Sequence, residues 1–509
     1  MLGFQSRDSS LSSLGWFPFL TSLLGALLGM AGLSYLIVFE RYRFAIAVTI
    51  GLLLIALAVV NIRVAIIGTL IYLVFMGDIR RMLIPSVGWS AEDPLLIVGP
   101  AFALILFAYA WSSNAIEVNT PLAGWILGLT GIMMLQMINP RQGGLIVGVS
   151  GALFYIIPLL WYWIGRTYAT SAYIRQVLFS VVVPLGVLAT VAGLFQTFYG
   201  FLPYQEIWTD VIATPYLLGS DGIEKPFSFF ASPTEHDNFV LTALAILVAA
   251  LIHRRQYSLL LLIVPMLAVI FLGGSRGPVA KLLVTTAGLW AVVGTNLFTW
   301  IVRGLLALVL GVVALSWGVS SLDVQGANER VEFRIERQQQ GLLETKAGGG
   351  SAANHLNMIG FGILRGVQTP LGFGLGSTTE AGAKYGGGVG STEVDVSDMF
   401  LATGVVGGAI YLIIFFLIIR SAFQFWTDTR SLLALCLAGV LAINFFLWLS
   451  GGQYAVGTLL WFLIGALDRL HNVPTEDDPE SIATSDESPP APDTAPAPDP
   501  QPPLQIAGR

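Results

Sequence analysis

The chain has 509 residues, of which 55% are hydrophobic and only 11% charged, with a mean hydropathy of +0.76. A soluble domain carries about 25% charged residues, so this composition excludes an ordinary soluble protein, and for most of the chain it excludes disorder. The formal charge of −6 is unevenly placed. Residues 473–509 hold eight acids and one base, whereas residues 1–472 hold 24 bases and 23 acids and are nearly neutral. The one cysteine, Cys436, lies in an apolar run, so an intramolecular disulfide is excluded.

Apolar runs of about 17–25 residues are candidate transmembrane helices. In chain order they fall at 17–38, 44–60, 62–76, 95–112, 122–138, 143–164, 176–199, 238–253, 257–273, 278–297, 299–318, 397–419, 431–449 and 453–468. The fold class expected is an all-α polytopic helix bundle of about 12–14 spans. The second and third runs meet at Asn61-Ile62-Arg63 and form either one hairpin or a single broken helix. The first run follows Arg7 and Asp8, is too long for a signal-peptide core and has no clear cleavage site behind it, so it reads as a retained anchor.

Arginines in short loops set orientation. Arg166 and Arg175, Arg254-Arg255, Arg303, Arg420 and Arg430, and Arg469 fall in alternate loops, which are expected to be cytoplasmic. Residues 200–237, 273–277 and 319–396 then face outward, and the tail 469–509 faces in. Arg41, Arg43, Arg80, Arg81 and Arg141 land on the outer side and depart from the rule. The tail has ten prolines from Pro474 onward and cannot bury a core.

Polar features concentrate outside the spans. The stretch 200–237 ends in Lys225-Pro-Phe-Ser-Phe-Phe-Ala-Ser-Pro-Thr-Glu-His-Asp-Asn238, where His236 and Asp237 read either as a polar helix cap or as site residues. Ser275-Arg276-Gly277 joins two spans; Arg276 is either a snorkelling interface residue or functional. The 319–396 stretch is too long for a simple connection. Within it, 329–343 reads as a helix with Arg330, Arg334 and Arg337 at i, i+4, i+7, a stripe that either binds an anion or is a solvated face paired with Glu329, Glu332 and Glu336. Residues 351–366 form a second candidate helix, with His355 near its start and Arg365 at its end. Pro370-Leu-Gly-Phe-Gly-Leu-Gly376 follows, either a phosphate-cradling turn or a flexible loop. Four scattered histidines and one cysteine give no zinc-type cluster. Inside the spans, Lys281 and Asn444 are the few polar exceptions.

Three pieces in this order carry a resemblance: Lys225 to Pro233, Ser275-Arg276-Gly277, and the long loop ending Pro370–Gly376 before Gly404-Val-Val-Gly-Gly408. Over roughly residues 176–468 the chain resembles the O-antigen ligase and polymerase superfamily (Wzy/WaaL-like, O-antigen ligase-related domain). Residues 1–175 add only an N-terminal transmembrane region.

The resemblance implies a bacterial inner-membrane glycosyltransferase of the GT-C type. It would use a polyprenyl-diphosphate-linked oligosaccharide on the periplasmic side, without metal or other cofactor, in O-antigen or exopolysaccharide biosynthesis, beside polysaccharide assembly proteins and with no nucleic acid. Cations stabilise a departing diphosphate, and arginine's planar fork suits that task. Arg276 matches the family's arginine in its Ser-Arg-Gly turn. The position 15 before Pro370, an arginine in the family, is His355 here, and Arg365 or Arg334 would supply the cation. The family ligases' His-Asn pair is replaced by Ser397-Asp398, which favours a polymerase over a lipid A–core ligase. His355 or Asp398 would serve as base near the acceptor hydroxyl. Two other classes stay open: a transporter, which would show breaks in paired spans at membrane depth, and a scaffold that recruits a partner through its acidic tail.

Overall fold

A computed structural model describes residues 34–36, 38, 40–212, 225–322, 328–343, 351–449 and 451–472, without the side chains of 329, 341–343 and 351–356. Among the described residues it is helical throughout, with no strand. The long helices are α1 Tyr42–Val60, α2 Ile62–Met82, α3 Leu95–Ser112, α4 Pro121–Gln136, α5 Leu145–Tyr168 and α6 Ser171–Tyr199. After the short α7, Pro203–Ile212, come α8 Pro233–Arg254, α9 Leu260–Leu272, α10 Arg276–Val292 and α11 Leu297–Ser320. The long loop contributes α12 Glu329–Leu343, α13 Ser351–Gln368 and α14 Glu380–Tyr385. The chain then closes with α15 Asp395–Thr429, α16 Leu432–Ile443 and α17 Tyr454–Asn472.

The protein is an all-α, multi-pass membrane protein. Among the described residues, eight helices are long and apolar enough to cross a bilayer: α1, α2, α3, α5, α6, α8, α11 and α15. The expected 12–14 runs also include the shorter α4, α9 and α16, and α10 and α17, which carry Lys281 and Asp468-Arg469 respectively. The run 17–38 lies almost wholly outside the described residues. Asn61 separates α1 from α2: its backbone is extended and its side chain accepts from the N–H groups of Arg63 and Val64, so the two runs are separate helices.

Burial orders the bundle. In α8, 83% of the apolar window is buried, whereas in α11 none is, so α8 runs through the centre and α11 along the rim. Close helix pairs are made at glycines. Gly165 of α5 lies against the Phe462 carbonyl of α17, and Gly465 against the Tyr162 carbonyl. At the short-loop end this pair is tied by a buried ion pair, Arg166–Asp468, with Tyr162 Oη and Thr120 Oγ1 also donating to Asp468 at 2.6 and 2.8 Å.

Backbone in a bilayer must be satisfied internally, and two breaks show how. At Gly404, φ is +73°, a left-handed value that favours glycine, and α15 kinks there. Phe373 N donates to Leu401 O at 2.9 Å and Gly374 N to Ala402 O at 3.1 Å, covering carbonyls beside the kink. Between α16 and α17 the described residues 444–449 and 451–453 are not helical. Two acids serve this break. Asp395 Oδ2 accepts from Trp448 N at 2.8 Å, and Glu235 Oε1 accepts from Ala455 N at 2.7 Å in the first turn of α17.

Three of the five arginines that depart from the loop-charge rule are explained by pairing, whereas Arg41 and Arg141 are exposed. At the long-loop end Arg43 and Arg80 both reach Asp93, and Arg81 reaches Asp78 and the Phe230 carbonyl. All three are buried, and the rule concerns unpaired loop charge.

Candidate functional site

The site is built on the first turns of α8. Ser232 Oγ accepts from Glu235 N at 3.2 Å and Pro233 opens the helix, so the sequence Ser-Pro-Thr-Glu starts it cleanly. Four consecutive polar residues follow, all buried. A helix turns about 100° per residue, so each meets a different neighbour. Glu235 turns to α17. His236 turns to Gly193 of α6 and to the edge of the Phe230 ring. Asp237 faces Gly273 at the end of α9 and feels Lys281 of α10. Asn238 donates from Nδ2 to Gln453 Oε1 at 2.9 Å and accepts from Lys281 Nζ at 3.4 Å.

His236 Nδ1 lies 3.1 Å from Asp237 Oδ1, and its buried Nε2 has no hydrogen-bond partner among the described residues. Around this pair the cations gather. Lys225, in the loop before α8, is more than half buried, and that burial pushes its ammonium below the usual lysine range; Asp237 opposes the shift, while Arg337 adds to it. Glu393 also acts on it from the start of α15. Lys225 of the 225–232 loop and Lys281 of α10 thus both feel Asp237, and Arg337 of α12 acts on Lys225.

α12 is a strap laid across the ends of three helices. Asn328 Nδ2, just before it, donates to Phe198 O of α6 at 3.3 Å. Arg334 Nη1 donates to Leu272 O at 3.0 Å and Gln338 Nε2 to Phe271 O at 2.9 Å, both at the end of α9. Gln339 Nε2 donates to Val319 O of α11 at 2.9 Å. These carbonyls lie at helix C-termini, where the regular intrahelical donors run out. The arginine stripe therefore divides. Arg334 is buried as a cap, Arg330 is exposed beside Gly200, and Arg337 faces Lys225. Arg276 is exposed at the first position of α10, next to Ser275, whose carbonyl accepts from Gln338 Nε2 at 3.3 Å.

Arg365 and Asp398 belong to a different set of contacts. α13 packs along α15, with Gly362 against Ser397 and Gly366 against the Phe400 carbonyl. Arg365 lies over the rings of Phe361 and Phe373, at 5.6 and 5.1 Å from their centres. Asp398 is buried and accepts from Ser391 Oγ at 2.6 Å, Thr392 N at 2.7 Å and Thr392 Oγ1 at 2.8 Å. It anchors the 391–392 turn. The side chain of His355 lies outside the described residues.

The glycine turn is neither a phosphate cradle nor a loose loop. Gly372 N donates to Thr369 O, Leu375 N to Gln136 O, Gly376 N to Gln142 Oε1 and Ser377 N to Gly374 O, beside the two bonds to α15 already described. These N–H groups are spent within the chain. The glycines are required because backbone passes at contact distance: a Cβ on Gly372 would lie 2.7 Å from Ala402 O, and Gly376 lies against Val147 O.

Beside the cluster, an apolar groove opens between α2, α3, α5 and α17. Leu73, Phe154, Ile157, Trp161 and Trp448 line it, and Gln453, the partner of Asn238, forms part of its wall. Groove and cluster therefore share the Gln453–Asn238 bond. No protein-family model and no curated protein matches this chain.

Glu235 and Asp395 carry no pattern in the sequence, and Lys225 figures there only as the start of the Lys225 to Pro233 segment. Lys281 did carry a signal, as a lone ammonium within an apolar run.

Proposed function

We propose that the protein is a membrane glycosyltransferase that polymerises or transfers a polyprenyl-diphosphate-linked glycan for a cell-surface polysaccharide. The observation that carries this reading is the placement of Lys225 and Lys281 about Asp237 of the Asp237–His236 pair, with Arg337 acting on Lys225, one hydrogen bond from an apolar groove. A lipid diphosphate needs that combination: cations for the phosphates and an apolar channel for the stem. The motif order described from the sequence supports the same class.

In the displacement, the acceptor hydroxyl attacks the anomeric carbon of the donor sugar from the face opposite the diphosphate. The new C–O bond forms as the bond to the diphosphate oxygen breaks, inverting the centre. Asp237, held by His236, takes the hydroxyl proton, and Lys225, Lys281 and Arg337 hold the departing charge, with exposed Arg276 at the rim. Asp237 joins His355 and Asp398 as candidate base; Arg334 and Arg365 support the loop that covers the site. In this reading the long-loop end is periplasmic, the membrane is a bacterial inner membrane, and the tail is cytoplasmic.

The test has two arms. Purified protein in detergent should bind farnesyl diphosphate, with Lys225→Met, Lys281→Met and Arg276→Ala each weakening it. In cells, Asp237→Asn and Arg276→Ala should shorten the surface polysaccharide at normal expression. Normal polymer in both variants removes these residues from the chemistry.

One observation favours a second reading. Lys281, Asn238, Thr242 and Asn444 form a hydrogen-bonded line within the bundle, ending at the broken helix after Ile443. Discontinuous helices of this kind hold solutes in transporters. Uptake of a labelled small solute by vesicles, without any change in glycan, would establish that reading. The tail of a scaffold would lie in residues 473–509, outside the described residues; its deletion with full activity excludes that role.

A further inference from the structure

The face of α13 turned away from α15 is mostly apolar and uncovered, with Asn357 and Gln368 as its exposed polar residues. Phe361 is 56% exposed and Leu364 59%, Val367 follows on the same side, and Leu371 in the next turn is 72% exposed. The opposite face is glycine, Gly362 and Gly366, pressed onto α15. A water-facing loop helix would show the reverse pattern, polar outward and apolar inward.

The depth of this face follows from its neighbours. Gly372 packs on the Gly404 kink. From Val405 to Thr429, α15 has 25 further residues, about 37 Å of helix, which by itself crosses the hydrocarbon core of about 30 Å. The kink thus lies near the boundary of the core. Leu371 O accepts from Gln136 Nε2 at 2.8 Å, in the last turn of α4, where Met134, Leu135 and Ile138 are strongly exposed and apolar. Below the kink, Val406 and Phe416 of α15 are exposed as well. The lipid-facing surface of α4 and α15 therefore continues through Leu371 onto α13.

We infer that α13 and the Pro370-Leu371 turn lie in the acyl–headgroup boundary of the leaflet at the long-loop end, with Phe361, Leu364, Val367 and Leu371 in lipid. The partner of this surface is the bilayer itself. Arg365, half-buried over Phe361 and Phe373, then stands at headgroup depth with its ring partners beneath it, the usual position of a snorkelling arginine. The second half of the long loop is thereby fixed to the membrane surface, independently of what the site binds.

The single, buried Cys436 makes the test direct. In a Cys436→Ala background, a nitroxide is placed by Phe361→Cys, Leu364→Cys and Leu371→Cys, one at a time, in vesicles of phosphatidylethanolamine and phosphatidylglycerol. Collision with oxygen is compared with collision with a water-soluble nickel chelate. Leu306→Cys, on the lipid-facing rim helix α11, and Glu336→Cys, on the exposed side of α12, give the two references. The expected result is oxygen-rich, nickel-poor relaxation resembling Leu306 at the three positions. Relaxation resembling Glu336 overturns the inference in favour of a water-facing surface. Shielding from both reagents overturns it in favour of a protein cover, whether a second copy or a partner. Three independent positions keep the test decisive if one variant fails to fold.

Discussion

Asp395 offers the sharpest test of how the broken helix is held. Its Oδ2 accepts from Tyr411 Oη at 2.7 Å, Trp448 N at 2.8 Å and Leu449 N at 3.4 Å, and its Oδ1 from Val396 N at 2.7 Å. Asp395→Ala strands the hydroxyl and three backbone N–H groups in the interior. A stranded buried donor costs about 1–3 kcal/mol, and the 3.4 Å bond is weak, so the variant should lose about 3–6 kcal/mol. Asp395→Asn keeps one oxygen for the same donors but turns an amide N–H toward Val396 N, and should lose about 1–3 kcal/mol. Tyr411→Phe removes one donor and leaves the carboxyl its backbone partners, for a loss of about 1 kcal/mol. Combined with Asp395→Ala, it should show a coupling of about 1 kcal/mol, because the shared bond is lost only once. Titration with sodium dodecyl sulfate, followed by tryptophan fluorescence, reads all four proteins. Alanine and asparagine variants of equal stability, or strictly additive losses with Tyr411→Phe, would refute the assignment of Asp395 as the clamp of the 444–453 segment.

Gly404→Ala should sharply reduce the folded yield. A left-handed φ costs an alanine about 1–2 kcal/mol, and its Cβ would collide with Pro370 O. Gly360→Ala, in the exposed middle of α13 with open space around it, should be neutral or stabilise by up to about 1 kcal/mol, and size-exclusion profiles after heating separate the two. Arg81 is fully buried between Trp208 and Phe227, at 4.6 and 4.3 Å from their ring centres, and it pairs with Asp78. Arg81→Met should cost about 3 kcal/mol by leaving Asp78 short of its partner, and limited proteolysis should then cut within Pro203–Ile212. Burial holds the Lys225 ammonium below the usual lysine range, so its charge is lost at lower pH than that of an exposed lysine. Farnesyl diphosphate affinity should therefore fall on alkalinisation in the native protein and fall less in Lys225→Arg, whose charge persists. Equal slopes would remove Lys225 from the anion site.

Much of the fold is legible in the sequence, because in lipid the apolar run and the helix are nearly the same object: an unpaired backbone group costs too much for any other span. The runs from residue 44 onward each overlap a helix, although α16 ends at Ile443, short of the run 431–449, and 329–343 and 351–366 appear as α12 and α13. Helix ends are less legible where they depend on distant partners. Nothing near Asn444 announces that Asp395, far away in sequence, will receive the N–H groups of Trp448 and Leu449.

The same division governs the site. Arg276, Arg334 and Arg365 are visible in the sequence as sparse cations on one end of the bundle, but they look alike there. Only packing separates an exposed rim residue from a carbonyl cap and from a ring-stacked arginine. The glycine turn likewise announces close approach without saying to what; the tertiary structure supplies α15 and the Val147 carbonyl instead of a phosphate.

The sequence by itself determined the solvent: its hydropathy and its sparse charge require a bilayer, and the eight acids after residue 472 account for the net charge of −6. The tertiary structure alone decided which of the few charges stand together. Helix rotation aims each of Glu235, His236, Asp237 and Asn238 at a different neighbour, and loop closure brings Lys225 within the field of Asp237 and of Arg337. Hydropathy is a property of a run of residues, whereas an anion site is a property of the space between runs.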